Sequence, residues 1–169
     1  MSISALALVS PSAASPVGHA GPRQVGQAGV YVALPRGWHA IPLALPPAGA
    51  SSDPVTRIVV ASAPIQFGKG CNDVDYSFAS TAVALVVLEW LRPTPGRFPP
   101  RPRRFTSSKL PVRPPPSVEC FVGPGGSIAF AENGRRFDVF LLLGHRAPPR
   151  LADVARRVLD TLEIGRRRR

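Results

Sequence analysis

Gly126–Ile164, GSIAFAENGRRFDVFLLLGHRAPPRLADVARRVLDTLEI, decides the fold of this chain. Asn133-Gly134 marks a two-residue hairpin loop, because a type I′ turn needs positive φ at both central residues. That loop pairs Glu132 with Arg135, Phe130 with Phe137 and Ile128 with Val139 on one face, since side chains alternate along a strand. The pairing predicts a charge pair beside the turn and an aromatic pair further in. The second strand is apolar on both faces, with Val139, Leu141 and Leu143 on one and Phe140 and Leu142 on the other. A strand of that kind is covered on both sides, so its sheet is a middle layer. Pro148-Pro149 then stops the strand and starts a helix. Leu151, Val154, Ala155, Val158, Leu159 and Leu162 fall on one helical stripe, which packs against a sheet. Asp153, Arg156, Arg157 and Asp160 fill the opposite face, with Asp153–Arg157 and Arg156–Asp160 at i,i+4.

Outward from that stretch, strands are expected at Val30–Leu34, Trp38–Leu43, Arg57–Ala63 and Ala82–Trp90, with a short one at Ser117–Val122. The first two form a hairpin through Pro35-Arg36-Gly37. The AVALVVLEW run is apolar on both faces and reads as a central strand. Together these predict an α+β fold, a mainly antiparallel sheet of about six strands with an amphipathic C-terminal helix packed on one face. The first hairpin and the Pro-rich loop are the expected covers of the other face. The folded domain runs over residues 29–164. Residues 1–28 read as a disordered linker or the remnant of a signal or anchor segment, with an apolar run at Ile3–Val9 but no basic residue before Arg23. Residues 165–169 form a basic tail.

The net charge of +11 over 169 residues is concentrated. Residues 92–113 hold seven basic and no acidic side chains, and Arg166–Arg169 add four more, so the rest of the chain is nearly neutral. A nucleic-acid argument from overall isoelectric point therefore fails; the question is what the loop and the tail do. The loop lies in a Pro- and Arg-rich connection, residues 92–116, that is stiff and extended. Arg97, Arg101, Arg103, Arg104, Lys109 and Arg113 are the candidate anion-binding residues. Phe98 and Phe105 are interleaved so as to stack or insert, or to tuck onto the core.

Signatures of chemistry are sparse. Gly123-Pro124-Gly125-Gly126 matches neither phosphate-cradling pattern and leads into a strand. His19, His39 and His145 are scattered, no serine sits in G-x-S-x-G, and Asp73 and Asp75 are too few for calcium. No catalytic, cofactor-binding or metal-ligating set is assigned, and no cofactor is expected. Cys71 and Cys120 are a candidate disulfide closing about 50 residues, worth roughly 4 kcal/mol in the chain-entropy model and implying an oxidising compartment.

The order of these motifs carries a resemblance. Leu34-Pro35-Arg36-Gly37-Trp38, the run Asp53–Ser62 (DPVTRIVVAS), the cysteine loop, AVALVVLEW, Pro100–Phe105 (PRPRRF), Glu119-Cys120-Phe121, the Gly134–Phe137 hairpin and the Val158–Leu162 helix resemble uncharacterised extracytoplasmic proteins of GC-rich Gram-positive bacteria. The Pro-x-Gly-Trp opening and the antiparallel sheet are similar, more loosely, to the Mog1/PsbP-like α/β/α sandwich. The resemblance implies a fold and no activity or site residues. The leading expectation is thus a non-enzymatic extracytoplasmic or membrane-proximal binding module rather than a cytoplasmic protein. Its partner is another protein or an anionic surface ahead of nucleic acid. Anion or nucleic-acid binding through residues 97–113 is the alternative, and a small hydrolase using Cys71 or Ser77 is a third.

Overall fold

A computed structural model of the chain describes residues 23–41, 53–68, 75–113 and 123–166. Among them the strands are β1 (Arg23–Gln27), β2 (Val30–Leu34), β3 (His39–Ala40), β4 (Val55–Ala61), β5 (Ile65–Gly68), β6 (Asp75–Phe78), β7 (Val83–Trp90), β8 (Gly125–Glu132), β9 (Arg135–Leu143) and β10 (Glu163–Ile164). The helix α1 (Pro149–Asp160) lies between β9 and β10. The α+β class and the antiparallel pairing are as expected. The strand count is not: three sheets form, of order β3-β4-β7-β9-β8, β1-β2-β10 and β5-β6.

The β8–β9 hairpin has the register written in its sequence, with Glu132 opposite Arg135, Phe130 opposite Phe137 and Ile128 opposite Val139. Asn133 and Gly134 take φ of 52° and 75°, the left-handed pair that a type I′ turn requires. The Asn133 side chain also donates to the Ile164 carbonyl, tying the turn to β10. Phe130 and Phe137 stack with centroids 5.5 Å apart, and Phe105 meets Phe130 edge-on at 5.9 Å.

Both faces of the five-stranded sheet carry apolar clusters, which is why β7 and β9 lack polar alternation. On the first face Val83, Leu85 and Val87 of β7 and Val139, Leu141 and Leu143 of β9 share a core with Ile58 and Val60 of β4. Ala152, Ala155, Val158 and Leu159 of α1, Val30, Val32 and Leu34 of β2, and Phe105 and Leu110 complete that core. The second face groups Val59, Ala61, Ala84, Val86 and Leu142 with Ile65. The N-terminal strands and the Pro-rich loop therefore cover the same face as the helix, not the opposite one. That corrects the expected layering.

Two local readings are also corrected. Residues 30–34 and 38–41 do not make a hairpin, the rest of the expected 38–43 strand lying outside the described residues: β2 is flanked by β1 and β10, while β3 pairs with β4. Because β1 and β10 occupy both edges of β2, the chain turns at Pro35 and crosses to the other sheet. A hairpin forms instead between β1 and β2, ahead of the expected domain start at Gly29. Its loop, Ala28-Gly29, has φ of 51° and 76°, a second turn of the same type.

The loop 92–113 closes the free edge of β8. Pro100 bridges Ala131 in parallel, and Arg113 bridges Gly125 antiparallel. The approach is close enough that a methyl group on Gly126 would collide with the Pro111 carbonyl oxygen. Covering an edge strand in this way removes a template for unwanted strand pairing.

Candidate functional site

The six candidate anion-binding residues divide by environment. Arg101 is committed inward. Its Nη1 donates to Glu132 Oε2 at 3.1 Å and to the Leu162 carbonyl at 2.7 Å, and its Nη2 donates to the Leu159 carbonyl at 3.4 Å. Leu159 lies in the last turn of α1 and Leu162 just beyond it, so the guanidinium also complements the negative end of the helix dipole. Its Cζ lies 5.6 Å from the ring centroid of Phe105, and its buried Nε has no hydrogen-bond partner among the described residues. Arg101 is thus a structural clamp, with its guanidinium engaged by Glu132 and the Leu159 and Leu162 carbonyls. Phe105 is 2% exposed and Phe98 is half-buried, so Phe105 serves the core and is withdrawn from any stacking role.

The loop backbone is fixed at further points. Arg156, expected on the solvent face of α1, is buried and donates from Nε and Nη2 to the Leu110 carbonyl at 3.1 and 3.0 Å. Its Nη1 reaches Asp153 Oδ1 at 2.6 Å, an i,i+3 pair. Asp160 accepts from the Phe105 amide at 2.8 Å. Neither expected i,i+4 pair forms in α1: Arg156 and Asp160 are spent on the loop, and Asp153 pairs with Arg156 rather than Arg157. Arg97, Arg103, Arg104, Lys109 and Arg113 are left exposed, and their side chains have no partner among the described residues.

A second charged site went unread in the sequence. Glu89 of β7 is 1% exposed and holds two arginines. Arg135 donates from Nε to Oε1 at 2.8 Å and from Nη2 to Oε2 at 2.7 Å, and Arg57 donates from Nε to Oε2 at 2.6 Å. Arg135 Nη1 continues to the Gly165 carbonyl at 3.2 Å and the Gly29 carbonyl at 3.5 Å. The expected Glu132–Arg135 pair does not form: Arg135 turns to Glu89, and Glu132 pairs with Arg101. Burial pushes the Glu89 carboxyl upward, but the hydrogen bonds and charges of Arg135 and Arg57 outweigh it and hold it below its usual value.

Arg57 reaches Glu89 because β4 is bulged there, the register against β7 slipping between Thr56 and Ile58. A bulge of this kind re-aims a side chain. Arg57 also lines a cleft of 490 Å³ between β4 and β1, together with the five residues of β1, Ala40 and Ile41, and the stretch Ile58–Val60. Gln27 Nε2 donates to the Thr56 carbonyl at 3.0 Å across it.

Cys71 and Cys120 lie outside the described residues, as does His19. His39 of β3 and His145, which follows β9, are exposed, and Ser77 stands in β6 opposite Gln66. Among the described residues no three or more His, Cys, Asp or Glu side chains are placed to hold a metal ion. No helix among them is long and apolar enough to cross a membrane. Comparison with family models, with curated proteins and with solved structures returns no match to this chain. Residue roles accordingly rest on its own geometry.

Proposed function

We propose that this chain is a non-enzymatic binding module, extracytoplasmic or membrane-proximal, that engages an anionic surface through the loop 97–113. The observation that supports the reading is a loop held rigid from below and cationic above. Phe105 and Leu110 are buried, and Arg101, Arg156 and Asp160 lock its backbone. Arg97, Arg103, Arg104, Lys109 and Arg113 are left facing solvent. Ordering the loop in the free protein means that little conformational entropy is lost when its cations engage a partner. Acidic phospholipid headgroups fit better than single-stranded nucleic acid, because Phe105 is in the core and Phe98 is half-buried, which leaves no stacking platform.

Each cation close to an acidic bilayer contributes about 1 kcal/mol. An Arg103→Ala/Arg104→Ala variant should then lose about 2 kcal/mol, roughly a 30-fold weaker partition onto phosphatidylserine-containing vesicles at low salt. Wild-type binding should weaken steeply as salt rises. Equal binding to neutral and acidic vesicles, or no change in the double variant, would overturn the assignment. Tighter, salt-dependent binding to duplex DNA would replace the lipid surface by nucleic acid.

A further inference from the structure

We infer that the cleft between β1 and β4 is a carboxylate site that takes the C-terminal end of an extended peptide, with Arg57 as the anion-binding residue. This site is separate from the cationic loop. Three features carry the inference.

Arg57 is pre-oriented and only partly used. Its side chain is 11% exposed, and its only hydrogen bond among the described residues runs from Nε to Glu89. The two Nη groups therefore remain as a fork in a cleft wall, the geometry that receives a carboxylate through two parallel hydrogen bonds. Glu89 cannot neutralise both arginines, since one carboxylate faces two guanidinium groups, and the buried cluster keeps one positive charge. A bound anion would balance it.

The cleft is also complementary in charge and in shape. Among the described residues no acidic side chain lines it, Arg23 stands on it, and Gln24 and Gln27 supply neutral amides. Val25, Ala40, Ile41 and Ile58 give apolar wall for the body of a ligand. Its 490 Å³ falls within the roughly 300–1,000 Å³ of clefts that hold small ligands.

Finally, the wall opposite Arg57 is an unpaired strand edge. The order β1-β2-β10 leaves one edge of β1 without a neighbouring strand among the described residues, and every β1 residue borders the cleft. A strand edge recognises an extended main chain through its own N–H and C=O groups, and a nearby cation fixes where that chain ends. The bulge at Arg57 places the cation beside that edge.

The test uses the full chain and two probe peptides, N-acetyl-Ser-Ala-Val-Ala-Val with a free C-terminal carboxylate and the same peptide as its amide. Titration followed by amide chemical shifts should show the free acid bound at least about tenfold more tightly, from one charge-assisted hydrogen-bonded pair. Shifts should concentrate at residues 23–27 and 56–60. Arg57→Gln should abolish the preference for the acid. It should leave the unfolding midpoint close to wild type, because the introduced amide can still donate to Glu89 and Arg135 keeps its own paired contact. Should Arg57→Gln fail to fold, the acid-against-amide comparison on the wild-type chain still decides. Equal binding of the two peptides, binding of neither, or displacement of the acid by inorganic phosphate at equal concentration would each overturn the assignment.

Discussion

Glu89 shows how much of this fold hangs on one side chain that reads as unremarkable. In AVALVVLEW it looks like the polar end of an apolar strand, and its partners stand 32 and 46 positions away in sequence. No periodicity or spacing signals such a triad; it becomes visible only when β4, β7 and β9 are aligned and Arg57 is turned inward by a bulge. Neutralising the one carboxylate that two guanidinium groups share costs about 3–5 kcal/mol, because both buried cations are left uncompensated, whereas loss of Arg57 alone leaves a balanced Glu89–Arg135 pair. Glu89→Gln should destabilise the chain by that order at neutral pH, measured by urea unfolding. The pH dependence follows from the lowered carboxyl. A group whose folded value is depressed stabilises above its unfolded value, about 4.3, and that contribution disappears as pH falls through the folded value. The wild-type and Glu89→Gln stability curves should therefore converge on acidification. A gap between them that stays constant as the pH drops below about 4 would show that Glu89 is not ionised in the native cluster.

At the level of elements, two hairpins among the described residues are built on the same turn, and only one is legible in the sequence. Asn133-Gly134 advertises its left-handed pair because Asn and Gly tolerate positive φ. Ala28-Gly29 takes nearly the same angles, but alanine carries no such signal, and RQVGQ in β1 offers only Val25 as an apolar side chain. Its strand character comes from pairing with β2, so in sequence it is indistinguishable from a linker. The loop 92–113 is legible in composition and not in role: nothing marks Arg101 as the residue that turns inward among identical neighbours. Helix α1 is legible in place and stripe, yet the pattern sets Arg156 on the solvent face because arginine is so seldom buried. The alanine turn gives a clean prediction. A left-handed L-residue costs about 1–2 kcal/mol, most of which glycine or asparagine relieves. Ala28→Asn, at an exposed position, should raise stability by about 0.5–1 kcal/mol in thermal unfolding. A neutral or destabilising result would mean that residue 28 does not hold positive φ in solution.

On the scale of the whole molecule, the three-stranded and five-stranded sheets have no strand in common and yet share one core. Val30, Val32 and Leu34 of β2 are buried in the same cluster as the inner rows of β4, β7 and β9, and α1 touches β2, β7 and β9 alike. Cross-links reinforce the union: Gln27 to the Thr56 carbonyl, Arg135 to the Gly29 and Gly165 carbonyls, and Asn133 to Ile164. The sequence pattern identifies the buried central strands but cannot separate two sheets, since an inward-facing valine looks the same on either. If the core is continuous, the sheets cannot melt independently, because losing β2 would expose the first face of β7 and β9. Native-state hydrogen exchange should then give the slowest amides of β2 and of β7 the same opening free energy within about 1 kcal/mol, equal to that of global unfolding. Tryptophan fluorescence and far-ultraviolet circular dichroism should report coincident unfolding curves. Exchange from β2 through an opening several kcal/mol cheaper than that of β7 would show the smaller sheet to be a detachable unit. The cleft between β1 and β4 would then be a hinge rather than a formed site.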